Sequence, residues 1–125
     1  MSNIVIIPTY NEKENIEAII RAVTSLPEGF DVLVIDDGSP DGTAEIVRRL
    51  QSGNGLDGRV HLLERSGKLG LGTAYLKGFG WAIERKYDYV FEMDADFSHA
   101  PKDLPRLLSA CSAEGFDVAV GSRYV

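Results

Sequence analysis

The sequence predicts an α/β protein: a Rossmann-like, mainly parallel sheet with helices on both faces, in one domain over residues 1–125. Three observations predict it. Short apolar runs alternate with segments whose apolar residues recur at helical spacing. The runs are apolar at consecutive positions, as strands covered on both sides must be. The links are short, and turn-forming residues cluster where each run ends.

Ile4-Val5-Ile6-Ile7 forms the first strand, over residues 3–8, and Pro8 is expected to end it. The polar turn Thr9-Tyr10-Asn11-Glu12 follows. Ile16, Ile19, Ile20 and Val23 then recur at i, i+3, i+4 and i+7, which predicts a helix stopped by Pro27 and Gly29. Val32-Leu33-Val34-Ile35 is the second strand and runs into a loop of turn formers, residues 36–43. The next helix carries Thr43, Val47 and Leu50 on one side, and residues 51–58 link it to a short third strand, Val60-His61-Leu62-Leu63.

A glycine-rich loop, residues 67–72, precedes a helix over 73–86. That helix holds Gly78 and Gly80, each costing about 1 kcal/mol relative to alanine. Small residues there predict close packing against the sheet. Residues 88–93 form the fourth strand. Pro105 cannot sit deep in a helix, so the next helix should begin between Lys102 and Pro105. Cys111 lies at helical spacing with Leu104, Leu107 and Leu108, as a core residue would. Residues 117–121 form the fifth strand, with Ser122-Arg123-Tyr124 after it.

Bulk properties exclude several classes. With 44% hydrophobic and 26% charged residues the chain can build one core and is not disordered. A formal net charge of -6 argues against a nucleic-acid-binding surface. It also means that binding a diphosphate would require a metal or local cations. The single cysteine rules out an intramolecular disulfide and a cysteine-built zinc site, and fits a reducing, cytoplasmic setting. The chain enters an apolar strand almost at once, as expected without a signal peptide, and no apolar run is long enough to span a bilayer.

In open parallel sheets, ligands bind beyond the carboxyl ends of the strands. Here those ends carry Pro8, Tyr10, Asn11 and Glu12; Asp36 and Asp37; Lys68 and the loop glycines; Asp94, Asp96 and Ser98; and Arg123. Asp94 and Asp96 are two apart, so in extended chain their carboxylates share one side. Such hard oxygen ligands suit Mg²⁺ or Mn²⁺, which in turn suits a diphosphate. Taken singly, each residue has a plainer reading. The acidic residues could begin loops or cap helices. Tyr10 could be a packed loop aromatic rather than a surface for a base. Glu12 could be a first-turn acid, and Lys68 an exposed cation rather than a phosphate ligand. Arg123 could pair with a core acid rather than clamp a phosphate. Their convergence at one end of the sheet favours a nucleotide or phosphate site, in which Asp37 would accept from a nucleobase or ribose. His61, inside a strand, and His99, near the acidic pair but with no Ser or Cys nucleophile arrangement, are weak catalytic candidates. Asp94, Asp96 and His99 could be read as metal ligands, though oxygen from Ser98, directly or through water, is the favoured third. The first strand lacks the dinucleotide fingerprint, which argues against a nicotinamide-dependent oxidoreductase, and there is no P-loop.

These segments resemble the inverting glycosyltransferases of family 2 with the GT-A fold, and within them the polyprenyl-phosphate (dolichyl-phosphate) mannose synthases. The resemblance rests on Pro8-Thr9-Tyr10-Asn11-Glu12, Asp36-Asp37-Gly38-Ser39-Pro40-Asp41-Gly42-Thr43, Lys68-Leu69-Gly70-Leu71-Gly72-Thr73-Ala74-Tyr75, Met93-Asp94-Ala95-Asp96 with Ser98-His99, and Gly121-Ser122-Arg123-Tyr124. It implies that Pro8, Tyr10, Glu12, Ile35 and Asp37 bind the guanosine part of GDP-mannose, with Asn11 among the substrate-binding residues. It implies that Asp94, Ala95 and Asp96 meet the ribose, diphosphate and sugar, that Asp94, Asp96 and Ser98 hold Mg²⁺ or Mn²⁺, and that Arg123 contacts the phosphate of a polyprenyl (dolichyl) acceptor. Many relatives have glutamine where this chain has Ser98. Asp94, Asp96 and Arg123 would be the catalytic set, acting at the cytoplasmic face of a membrane. Family members continue well beyond Arg123, so the chain is expected to be the nucleotide-sugar-binding half, poorly active alone, with apolar surface that favours self-association. Transfer of glucose or another sugar to a lipid phosphate, and a non-catalytic nucleotide-binding module, remain alternatives.

Overall fold

The structure is a computed structural model, and it describes residues 2–52, 58–66, 71–93, 95, 104–105 and 118–120. The elements run β1 (Asn3–Thr9), α1 (Ile16–Thr24), β2 (Asp31–Asp36), α2 (Thr43–Gln51), β3 (Val60–Glu64), α3 (Leu71–Glu84), β4 (Tyr89–Glu92) and β5 (Val118–Val120). The strands form one sheet in the order β3-β2-β1-β4-β5, and every pairing is parallel. The chain moves outward from β1 to β3, then returns to place β4 on the other side of β1. The order therefore reverses between β1 and β4, where such sheets open a crevice for ligands.

Alternation along the strands explains why both faces need cover. Val5, Ile7, Val32, Val34 and Phe91 pack with Ile16, Ile19, Ile20 and Val23 of α1 and Val47 and Leu50 of α2. Phe30 meets Phe91 edge to face, with ring centroids 5.5 Å apart. Ile4, Ile6, Leu33, Ile35 and Val90 face the other way and pack under α3. The predicted Rossmann-like sheet with helices on both faces is the architecture found.

Several boundaries differ from the sequence reading. Pro8 does not end β1; it lies inside the strand, paired with Ile35. A proline in a central strand ordinarily loses a ladder bond. Here Met93 N donates to Ile6 O at 3.0 Å, so even-numbered residues of β1 turn their peptide groups toward β4. The β1–β4 pairing ends at Ile6 with Glu92. The missing N–H of Pro8 therefore points where the two strands have already parted. Helix α3 begins at Leu71, so Leu71 and Gly72 belong to it rather than to the glycine loop. It ends at Glu84, and Lys86 turns the chain away at φ 60°. Leu104 and Pro105 are helical, and the expected helix start otherwise falls outside the described residues. Cys111 lies outside the described residues.

The two helix glycines have different roles. A Cβ on Gly78 would come within 2.7 Å of Ile6 Cγ2 and 2.8 Å of Ile6 Cδ1, whereas one on Gly80 meets nothing within 4 Å. Close packing against the sheet thus explains Gly78 and not Gly80. Gly80→Ala should stabilise the chain by about 1 kcal/mol through helix propensity. Gly78→Ala should destabilise it, because overpacking a buried contact costs ~1–3 kcal/mol and outweighs that gain. Urea unfolding midpoints check both, and equal stabilisation by the two substitutions would contradict the packing account.

Candidate functional site

The site forms where β1 and β2 end and their helices begin. Asp36, the last residue of β2, is 1% exposed. Its Oδ1 accepts from Thr9 Oγ1 at 2.7 Å and Ser39 Oγ at 2.6 Å, and its Oδ2 accepts from Ser39 N at 2.9 Å. Ser39 Oγ in turn accepts from Asn11 N at 2.9 Å. Asp36 therefore ties the turn after β1 to the turn after β2 instead of facing a ligand.

Asp41 makes the second tie. Its Oδ1 accepts from Thr43 N at 3.0 Å and Thr43 Oγ1 at 2.5 Å, and its Oδ2 accepts from Lys13 N at 3.2 Å. Thr43 Oγ1 also accepts from Glu12 N at 3.0 Å. Asp41, not Asp36 or Asp37, thus satisfies the first N–H of α2, and Gly42 between them sits at φ 93°, where a side chain would be strained. Slight burial pushes the Asp41 carboxyl up, but the hydrogen bonds from Thr43 and Lys13 outweigh it, and the net shift is downward.

Asp37 is held from the other side. Its N–H donates to Thr9 O at 3.1 Å. Its carboxylate takes the fork of Arg65, with Nε 2.7 Å from Oδ1 and Nη2 2.9 Å from Oδ2. The two side chains are only 10% and 8% exposed. Arg65 is also anchored by Nη1 donating to Thr73 Oγ1 of α3 at 3.0 Å, and by its N–H donating to Asp36 O at 2.8 Å. Sequence reading missed Arg65. A signal existed in the register: Asp36 pairs with Glu64, so Asp37 and Arg65 are the next residues of adjacent parallel strands.

The remaining predicted residues divide clearly. Pro8, Tyr10, Asn11 and Glu12 gather at the end of β1; Asn11 is exposed at φ 58°, and Tyr10 is 37% exposed. Ile35 is wholly buried under α3, so only its main chain could meet a ligand. Ala95 is buried beside Met93 in the core under the end of β4. Asp94, Asp96, Ser98 and Arg123 lie outside the described residues, as do Lys68 and His99. Among the described residues no three His, Cys, Asp or Glu side chains gather as a metal site. His61 stands under α3 with its ring 4.8 Å from that of Trp81, away from the strand ends, and burial lowers its pKa. Among the described residues no helix is long and apolar enough to cross a membrane.

An all-parallel sheet whose strand order reverses between β1 and β4, with helices on both faces and polar residues gathered after β1 and β2, defines a Rossmann-like α/β domain. Residues 4–125 match the family model described as Glycosyl transferase family 2, and the chain belongs to that family. It is 51% identical over 122 residues to the polyprenol monophosphomannose synthase of Mycolicibacterium smegmatis, covering 98% of this chain and 45% of that protein. It is 48% identical over 126 residues to the undecaprenyl-phosphate mannosyltransferase of Micrococcus luteus, covering 100% of this chain and 49% of that one. The chain thus spans about half the length of the curated relatives it matches. Among solved structures it is similar to the mannosyltransferase PcManGT from Pyrobaculum calidifontis, solved with GDP-Man and Mn²⁺. That match has a TM-score of 0.74 and 27% identity over 88% of this chain and 32% of that one.

The Asp41 tie carries a pH signature. A carboxyl lowered in the folded state adds stability above its unfolded pKa, near 3.8, and loses it as pH falls through the folded value. Asp41→Asn should therefore be less stable than the parent at neutral pH, with the gap closing below about pH 4. Thermal midpoints across pH 2–7 measure this; a gap independent of pH would refute it.

Proposed function

We propose that this chain is the donor-binding part of an inverting mannosyltransferase. It would move mannose from GDP-mannose to a polyprenyl (dolichyl) phosphate, giving polyprenyl-phosphate mannose. The observation that carries this reading is the identity of about half its residues, across nearly the whole chain, with two proteins named for that chemistry. The likeness to a mannosyltransferase solved with GDP-Man and Mn²⁺ supports it.

On this reading Pro8, Tyr10, Asn11, Glu12, the main chain of Ile35, and Asp37 take the guanosine. Tyr10 offers a face for stacking, and Asp37 accepts from the base. Asp94, Ala95 and Asp96 follow β4 in sequence, and β4 is locked to β1 by Met93 N donating to Ile6 O. The donor set Asp94, Asp96 and Ser98 is all oxygen, which fits Mg²⁺ or Mn²⁺. Such a cation, when bound, would offset charge on the departing diphosphate.

The acceptor phosphate oxygen attacks C1 of mannose as the bond from C1 to the diphosphate oxygen breaks, inverting C1. That oxygen is already ionised near neutral pH, so the step needs no general base, and His61 has no part in it. Arg123 would orient the acceptor phosphate and offset its repulsion from the leaving diphosphate. A polyprenyl acceptor places the complete protein at a membrane surface, on the cytoplasmic side. Apolar surface of a partial sheet would favour self-association.

Calorimetric titration of the chain with GDP-mannose, with and without Mn²⁺, beside UDP-glucose and NAD tests the reading. The expected result is metal-dependent binding of GDP-mannose that is lost in Asp96→Ala. Preference for the uridine donor would contradict the mannose branch. Absence of binding by a folded sample would contradict the donor site itself.

A further inference from the structure

We propose that Arg65 is a positioning residue for the nucleobase and acts through Asp37. The proposal rests on the reading of Asp37 as the acceptor for the base. A carboxylate has about four acceptor positions, two on each oxygen. The fork of Arg65 meets both oxygens of Asp37 side by side, at 2.7 and 2.9 Å, and so uses the two inner positions. The outer positions diverge. One of them can accept a single N–H of a base, but together they cannot chelate two adjacent donors on one edge. Arg65 thus fixes the plane of the carboxylate and limits how the base is read.

Two further bonds make the clamp a fixed reference. Arg65 Nη1 donates to Thr73 Oγ1 in the first turn of α3, and Arg65 N extends the β2–β3 ladder by donating to Asp36 O. The acceptor for the base is therefore registered against α3 as well as against β1, where Asp37 N meets Thr9 O. A plain structural ion pair is a poor account of this geometry. Buried pairs are often no more stable than apolar replacements, so their gain is better sought in orientation. Lysine could neutralise Asp37 but has no planar fork to set its plane.

The test is a double-mutant cycle on GDP binding, measured calorimetrically with Mn²⁺ present, with circular dichroism melts to confirm folding. Arg65→Met and Asp37→Asn should each weaken GDP at least tenfold. The double variant should bind no worse than Asp37→Asn alone, because Arg65 acts only through that carboxylate. Arg65→Lys should recover the melting temperature yet remain several-fold weaker than the parent. If Arg65→Met does not fold, the same cycle run with Arg65→Lys decides the matter. Parent-like affinity in the Arg65 variant overturns the proposal, as does an Arg65 effect of equal size in the Asp37→Asn background. Those results leave the donor reading standing, whereas failure of the folded parent chain to bind GDP overturns both.

Discussion

The buried carboxylate of Asp36 is the interaction on which the site depends. A charge taken out of water is tolerable only when hydrogen bonds replace its hydration. Thr9 and the main chain and side chain of Ser39 supply those bonds, and their spacing dictates where two turns must run. Removing the carboxylate would strand three donors in a nearly dry setting, so the contact specifies geometry more than it adds net stability. Through Ser39 it also holds Asn11, and with Asp41 and Thr43 it fixes the turn that carries Tyr10 and Glu12. The sheet supplies the place for a ligand, and this network supplies the shape.

Charge is arranged to suit that place. The chain carries a formal charge of -6, yet Arg65, a cation at the carboxyl end of the strands, is committed to Asp37. Other arginines are engaged elsewhere: Arg21 with Glu17 on α1, Arg48 with Glu45 and Glu64 beside β3, and Arg59 with Asp31 at the opposite end of the sheet. Exposed pairs of this kind add little stability. Each is matched by a carboxylate, so these pairs add little net positive charge to the sheet. A diphosphate at the strand ends would call for a divalent cation or for positive groups supplied by other residues.

Much of the fold was legible because burial on both faces leaves a plain mark: β1 and β2 each carry four consecutive buried apolar residues, and α1 repeats its isoleucines at helical spacing. The turn-forming clusters marked the carboxyl ends correctly, and with them Tyr10, Glu12 and Asp37. What was illegible depended on pairing rather than on composition. Pro8 reads as a strand end until the register shows its missing N–H beyond the β1–β4 ladder. Gly78 and Gly80 look equivalent until Ile6 is seen beneath one of them. Asp36 and Asp37 look alike, yet one is a brace and the other is held by an arginine far along the chain. Arg65 went unnoticed because only the parallel register brings it beside Asp37.

The guanosine nucleotide is proposed to bind where β1 and β4 part, held against the turns fixed by Asp36. Titrating GDP with Mg²⁺ into isotope-labelled chain while following backbone amides tests it most directly. The largest shifts should fall on residues 10–13, 37–39 and 65, with the opposite end of the sheet, at Asn3, Gly29 and Arg59, unmoved. Saturable shifts centred on that opposite end, with the β1 and β2 turns silent, would contradict the account.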